Sequence, residues 1–321
     1  MLVSQEFDAA FAGVLGLLVG SFLNVVIYRT PVMMYRGWLA DAVANLMSSK
    51  EVPSLWSLVF GPKTAPPPGL EAAADKAALA IEGLPPFDLA RPASRCGACG
   101  HKIRWYENIP VLSYLVLRGR CAACKTPISL RYPLVELITG ALFALCAYRF
   151  GLTPTGALWA AFAALLICQF LIDFDTQFLP DALNYPLLWL GLIGAAMGWT
   201  GVALSSAVWG AVFGYLSLWL VYHGYRLVTG KEGMGYGDFK LLAALGAWFG
   251  ADYLIAIILV SSLVGAVIGL MLRFVGKLAH KDIPMAFGPF LAGAGLVCLV
   301  AGPELVRQWI PFAFPLGAFA R

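Results

Sequence analysis

Gly233-Met-Gly-Tyr-Gly-Asp238 places three alternating glycines directly before an aspartate, at the mouth of the apolar run Leu241 to Ala251. Gly233, Gly235 and Gly237 strip the side chains from one edge of the backbone, so another polypeptide can lie against it as in a substrate groove. A carboxylate at the entrance to a membrane segment is costly unless hydrated, paired or protonated, which makes Asp238 a candidate for chemistry. The plainer alternative is a flexible loop with Asp238 as N-cap of the next helix, which explains the aspartate but not the glycines.

A second acidic cluster, Asp173-Phe-Asp175-Thr-Gln-Phe-Leu-Pro-Asp181, ends an apolar run that starts at Phe150. Two crossings separate it from Asp238, and an even number returns the chain to the same side of the membrane. Two aspartates at one depth suit an aspartic protease, in which one carboxylate activates water and the other, protonated, donates to the scissile carbonyl. Like charges held close and partly desolvated do not both ionise, so one of the pair keeps its proton. Asp173 and Asp175 stand about 200° apart on a helix and cannot share one pocket. Asp181 follows Pro180 and suits an N-cap, and Asp175 suits a solvated end charge. Asp173 is the deepest of the three and is the candidate partner of Asp238. A polar helix end is the alternative for the whole cluster.

Cys96-Gly-Ala-Cys99 and Cys121-Ala-Ala-Cys124 are two Cys-x-x-Cys knuckles with 21 residues between them. In a reducing compartment, four thiolates at this spacing suit one tetrahedral zinc ion per chain. Four protein ligands close the coordination shell, so such a metal is structural. Disulfides or a redox pair are the competing readings. Cys146, Cys168 and Cys298 lie in apolar runs and read as packing residues.

The elements that must hold these groups are helices in a membrane. Of 321 residues 60% are hydrophobic and 12% charged, about half the charged fraction of a soluble domain. Eight apolar stretches emerge: Ala9–Tyr28, Tyr132–Tyr148, Phe150–Ile172, two within Ala182–Tyr225 split at Gly198–Gly201, Leu241–Ala251, Tyr253–Leu272 and Ile283–Pro303. The short sixth run counts as a crossing because that puts Arg273, Lys277 and Lys281 in the cytoplasm. Thirteen of the 22 Lys and Arg lie between Arg29 and Arg131, which makes that stretch a cytoplasmic loop and leaves both termini outside. Its Pro-rich part, about 37–92, reads as poorly structured. No basic-aromatic stripe points to nucleic acid, and the acidic first residues do not form a cleavable signal peptide. Ser21 and Asn24 share a face of the first span and read as interhelical hydrogen bonders. Glu136, in the second span, lies within snorkelling reach of Arg131.

The expectation is an all-α polytopic membrane protein with about eight transmembrane helices and a cytoplasmic zinc-knuckle loop. Residues 1–30 form the first helix, 31–131 the loop with its knuckle at 96–124, and 132–321 a membrane peptidase domain.

Taken together, these residues resemble the type IV prepilin peptidases of pilus and type II secretion systems. The likeness runs through Gly20-Ser-Phe-Leu-Asn-Val-Val-Ile-Tyr-Arg29, both knuckles, Glu107-Asn-Ile-Pro-Val-Leu-Ser-Tyr114 and Arg131-Tyr-Pro-Leu-Val-Glu-Leu137. It continues through Leu171–Asp181, Lys231–Leu242 and Ala286-Phe-Gly-Pro-Phe290. The resemblance implies catalytic aspartates at Asp173 and Asp238, acting on prepilins and pseudopilins at the cytoplasmic face of a bacterial inner membrane. It also implies a second activity, N-methylation of the new N-terminus from S-adenosylmethionine, to which the zinc is tied. Gly119 and Arg120 fall where the family has a pair linked to methylation. A peptidase without methylation, and a proton- or cation-coupled transporter using the same aspartates, are the alternatives.

Overall fold

The computed structural model describes residues 2–46, 55–61, 63–274 and 286–313. Twelve α-helices are described, in chain order: α1 (Leu2–Leu46), α2 (Leu55–Phe60), α3 (Leu70–Glu82), α4 (Leu112–Val116), α5 (Arg131–Phe150) and α6 (Pro154–Thr176). They continue with α7 (Asp181–Ala196), α8 (Leu204–Thr229), α9 (Tyr236–Phe249), α10 (Leu254–Phe274), α11 (Gly288–Ala301) and α12 (Pro303–Trp309). Among the described residues there is no β-strand, only two isolated β-bridges. The expected all-α, multi-pass architecture is the one observed.

Within the described residues the eight apolar stretches lie on helices, and five of those helices are long and apolar enough to cross a bilayer: α1, α5, α6, α8 and α10. The other three, α7, α9 and α11, have 16, 14 and 14 residues. At 1.5 Å per residue the shortest reach only about 21 Å, less than a hydrocarbon core of about 30 Å. The Gly198–Gly201 break falls where expected, between α7 and α8. Lys277, Lys281 and the first residues of the Ile283–Pro303 stretch lie outside the described residues.

Two compact units divide the chain, one of residues 1–27 and 104–321, the other Tyr28–Ile103. In the larger, α9 is the axis. Leu241, Leu242, Ala244, Leu245, Ala247 and Trp248 are fully buried, so this helix is apolar on every face because protein encloses it on every face. Trp248 packs on Phe162 of α6 at 4.5 Å between ring centroids and donates its indole N–H to the Leu187 carbonyl of α7 at 2.8 Å. Backbones meet directly where α8 crosses α9. A Cβ on Gly246 would overlap the Gly210 carbonyl, and a Cβ on Gly210 would overlap that of Gly246. Gly214 lies as close, with Leu242 O 2.7 Å from where its Cβ would stand. On the far side α1 packs on α5 through Gly13, Gly16 and Gly20; a Cβ on Gly20 would stand 2.7 Å from Glu136 Cα. Small-residue seams of this kind hold helices together where lipid offers no hydrophobic drive.

In the second unit the helix that begins in the membrane does not stop at Arg29. α1 continues through Pro31 to Leu46. Arg29 is buried and donates to the carbonyls of Asp88 (2.8 Å) and Pro92 (2.6 Å), while Arg36 donates to that of Pro85 (3.1 Å). Both guanidinium groups lie over the Phe87 ring. The Pro-rich stretch is therefore more ordered than its composition suggests, because two arginines on one helix satisfy carbonyls that prolines leave without neighbouring N–H donors.

Gly246→Val should force the α8 and α9 backbones apart, at a cost of about 3 kcal/mol or more. The thermal unfolding midpoint of the detergent-solubilised protein should fall sharply. Gly224→Ala, where an added Cβ meets nothing within 4 Å, should leave it unchanged or slightly higher.

Candidate active site

Asp173 ends the buried face of α6, and Asp238 sits in the first turn of α9. Each exposes less than a tenth of its surface, at 4% and 7%. The helices run antiparallel: Phe162 of α6 meets Trp248 and Phe249 of α9, and Leu166 and Leu245 both meet Gly295. Stepping back along α6 and forward to the start of α9 brings Asp173 and Asp238 to one level, and their charges interact. The fold thus brings together the two acids that the sequence separates by 65 positions.

Backbone groups hold both carboxylates. Asp173 receives the N–H of Gly288 at the start of α11, where the helix dipole favours an anion. A Cβ on Gly288 would lie 2.5 Å from Asp173 Oδ2 and 2.8 Å from Leu179 Cδ1, which explains the glycine of the Ala286–Phe290 motif. Asp238 lies in the first turn of α9, where the backbone N–H of the N-cap Gly235 favours its anion. That arrangement leaves Asp238 Oδ1 and Asp173 Oδ2 without hydrogen bonds. Leu179 is buried between the two, since a Cβ on Gly237 would meet Leu179 Cβ at 2.7 Å. Of the three glycines, Gly233 faces the Tyr225 ring and Gly237 faces Leu179. Only Gly235 has ordinary room, with Asp238 Oδ2 at 3.9 Å from where its Cβ would stand.

The other acids have other occupations. Asp175 forms a bidentate ion pair with Arg131, 2.8 Å from Nη1 to Oδ1 and 2.7 Å from Nη2 to Oδ2. Asp181 is the first residue of α7 and not its cap, a place taken by Pro180; it binds Lys240 at 2.7 and 2.8 Å. Lys240 therefore reaches an acid on α7 rather than snorkelling to solvent. Arg131 is engaged by Asp175 and does not serve Glu136. Glu136 instead accepts the N–H of Val111 at 2.8 Å and a hydrogen bond from Ser21. Asn24 donates to the Tyr132 carbonyl at 3.2 Å, so the expected interhelical bonds of the first span are present.

Sequence reasoning passed over two buried polar residues, one on α6 and one on α7. Gln169 and Asn184 are 0% and 1% exposed, and all four of their side-chain polar atoms lack partners. Gln169 precedes Asp173 by four residues, one turn along the same face of α6. That spacing was the available signal for it; nothing in the sequence marks Asn184.

The knuckles are built alike. In one, Cys96 N–H donates to His101 O and Gly100 N–H to Cys96 O, both at 2.9 Å. In the other, Cys121 N–H donates to Thr126 O at 2.9 Å and Lys125 N–H to Cys121 O at 3.1 Å. Gly100 and Lys125 occupy the same place in their turns, and both have positive φ, 72° and 61°. The sulfur atoms of Cys96, Cys99, Cys121 and Cys124 all lie within 4.8 Å of one another, a cluster able to hold a metal ion. Cys146, Cys168 and Cys298 are buried, as expected of packing residues. Gly119 has φ 65° and packs on Tyr114, whose hydroxyl would lie 2.8 Å from an added Cβ, so its place in the fold alone demands glycine.

Comparison with known proteins agrees with this geometry. Residues 14–150 match the bacterial peptidase A24 N-terminal domain, and residues 159–270 match the type IV leader peptidase family. A prepilin leader peptidase/N-methyltransferase of Stutzerimonas stutzeri is 48% identical over 94% of this chain and 93% of its own length. That of Pseudomonas aeruginosa is 48% identical, over 93% and 92% respectively. Their namesake in Neisseria gonorrhoeae is 45% identical, over 95% and 94%. No solved structure matches the chain. Aspartates buried at one level, a four-cysteine cluster and near-full-length similarity lead to one conclusion: this chain belongs to the type IV leader peptidase family.

Proposed function

We infer that this chain cleaves the leader from type IV prepilins and then N-methylates the new N-terminal residue, as its relatives are named for doing. The observation that carries the cleavage half is the pair Asp173 and Asp238. Both are buried, their charges interact, each has an oxygen without a hydrogen bond, and the neighbouring acids Asp175 and Asp181 already hold cations. In the proposed mechanism the ionised member takes a proton from water, whose oxygen attacks the scissile carbonyl carbon. The protonated member gives its proton to the carbonyl oxygen. Collapse of the tetrahedral intermediate breaks the C–N bond as the first carboxyl passes its newly gained proton to the departing amine and a hydroxyl of the intermediate returns a proton to the second. The groove for the leader junction is assigned to the Gly233–Gly237 edge at Gly235, since Tyr225 and Leu179 already fill the places beside Gly233 and Gly237.

The cysteine cluster serves the methylation half in this reading. A tetrahedral zinc ion with Zn–S near 2.3 Å needs sulfurs about 3.8 Å apart, which four atoms within 4.8 Å of one another can meet. Cys96, Cys99, Cys121 and Cys124 would supply all four ligands, so the ion organises the turns and leaves no coordination site for substrate. S-adenosylmethionine would supply an electrophilic methyl group. Arg120, beside Gly119, brings a cation to that part of the chain. The basic stretch from Arg29 to Arg131 favours a cytoplasmic loop, so in this reading the cluster and the aspartates work at the cytoplasmic side of a bacterial inner membrane, where pseudopilins of type II secretion would be processed as well.

Asp173→Asn and Asp238→Asn should each lower leader cleavage by about 10²–10⁴-fold or more, without loss of the folded protein. Asp175→Asn and Asp181→Asn break half-exposed ion pairs worth about 0–1 kcal/mol and should leave cleavage within about tenfold. Retained cleavage in either of the first pair removes that residue from the dyad. Gly288→Ala pushes a methyl group against the Asp173 carboxylate and should cost about 10²-fold in cleavage with the thermal midpoint little changed. Cys96→Ser should lower bound zinc, and methylation more than cleavage; equal loss of both activities would make the cluster a support of the whole fold. Mass spectrometry of a prepilin incubated with the protein and S-adenosylmethionine reads cut site and methyl mass together.

A further inference from the structure

The segment from Arg104 to Val116 presents a surface that neither proposed activity uses. Trp105 is 80% exposed, Leu112 55%, Leu115 66% and Val116 73%. Two hydrogen bonds and a strained turn fix where this surface sits. Val111 has φ 60° and ψ −48°, and Leu112 N–H reaches back to Pro110 O at 2.5 Å. This is a γ-turn of the strained hand, centred on a β-branched residue that avoids positive φ. Strain of this kind persists only where surroundings over-determine it. Here the buried Glu136 does so, by accepting the Val111 N–H from inside α5. At the other end of α4, Gly119 N–H donates to Tyr114 O (2.8 Å), Ile128 N–H to Gly119 O (2.7 Å) and the Tyr114 hydroxyl to Ile128 O (3.3 Å).

The Glu136 bond also sets a depth. Arg131 opens α5 and pairs with Asp175 where both side chains are about one-third exposed, at 34% and 37%, which marks the level of charged groups. Glu136 is five residues further in, about 7 Å along the helix axis. The interfacial zone on each side of a bilayer is about 5–7 Å thick, so Val111 and the start of α4 lie at the edge of the hydrocarbon. Beside them α5 also exposes apolar side chains, Leu134, Leu137 and Ile138, with Leu130 just before it. Exposed cations Arg104, Arg118, Arg120 and Lys125 flank them, and Glu107 is the one acid between Arg104 and Arg131. Aliphatic side chains, Trp and Tyr at the interface, and arginines at the headgroups are the composition of a segment lying in a membrane surface.

We propose that Arg104–Arg120 is an interfacial anchor, seating Trp105, Leu112, Leu115 and Val116 in a bilayer surface that carries anionic headgroups, with Glu136 holding it at that depth. Glu136 is a positioning residue in this role. The anchor keeps the turn at Gly119 and Arg120 at the bilayer surface.

The test uses the full chain in lipid nanodiscs containing phosphatidylethanolamine and phosphatidylglycerol, with a prepilin present. Leu115→p-benzoylphenylalanine and, separately, Val116→p-benzoylphenylalanine are irradiated and the adducts weighed; Lys125→p-benzoylphenylalanine is the control. Retained zinc content verifies folding in each. Lipid adducts at 115 and 116 but not at 125, richer in phosphatidylglycerol than the nanodisc itself, are expected. Prepilin adducts in their place would make the surface a substrate dock and overturn the proposal, as would the absence of lipid adducts. Lipid adducts without phosphatidylglycerol enrichment would overturn the headgroup assignment. Since crosslinking needs no turnover, an inactive dyad would not alter the outcome.

Discussion

Two carboxylates of like charge inside an apolar helix bundle are the constraint on which the rest depends. Burying them is unfavourable, and the structure offsets it with backbone N–H groups rather than cations: Gly288 for Asp173 and Gly235 for Asp238. A lysine or arginine beside either would have been the simpler stabiliser. Lys240 is on α9 itself and Arg131 opens α5, yet both are held by other acids. That division leaves the dyad able to trade protons, since an ion-paired carboxylate is a poor base. It also accords with a short and enclosed α9, because a lipid-facing helix could not carry its first-turn aspartate into a buried place beside Asp173 of α6.

Much of this was legible in the chain. Counting crossings put the two acids on one face, and that parity is insensitive to helix ends. The knuckles were legible because their geometry is local: each turn closes through hydrogen bonds within six residues. The break at Gly198–Gly201 was legible for the same reason. What failed were partnerships over distance. Arg131 reads as a neighbour of Glu136, five residues on, and Asp175 as a solvated end charge, yet helix packing pairs the two across 44 positions. Asp181 has the sequence of a cap and the structure of a salt-bridge partner, because Lys240 on α9 meets it across the α7–α9 contact. The continuation of α1 beyond Arg29 was hidden because composition marks where lipid ends, not where a helix ends, and carbonyls near Pro85 and Pro92 gave its arginines somewhere to bind.

Gly119 illustrates how a motif can carry two meanings. Its positive φ and its contact with Tyr114 are reason enough for glycine, whatever the neighbouring Arg120 does. A substitution at 119 would disturb the turn leading to Cys121 as well as any chemistry nearby, so loss of activity there would not by itself identify a catalytic group. Arg120, exposed and without that steric burden, separates the two meanings more cleanly.

The backbone contact between Gly210 and Gly246 bears on traffic. A target that arrives as a lipid-embedded helix has to reach the aspartates sideways, through some doorway in the ring of helices around α9. Peptide groups cannot rotate out of the way as side chains can, so the α8–α9 join is a sealed wall. Elsewhere the neighbour of a glycine is a side chain, Phe290 beside Gly265 and Phe170 beside Gly293. Rings of that kind can change rotamer with the main chain in place, as Gly210 and Gly246 cannot.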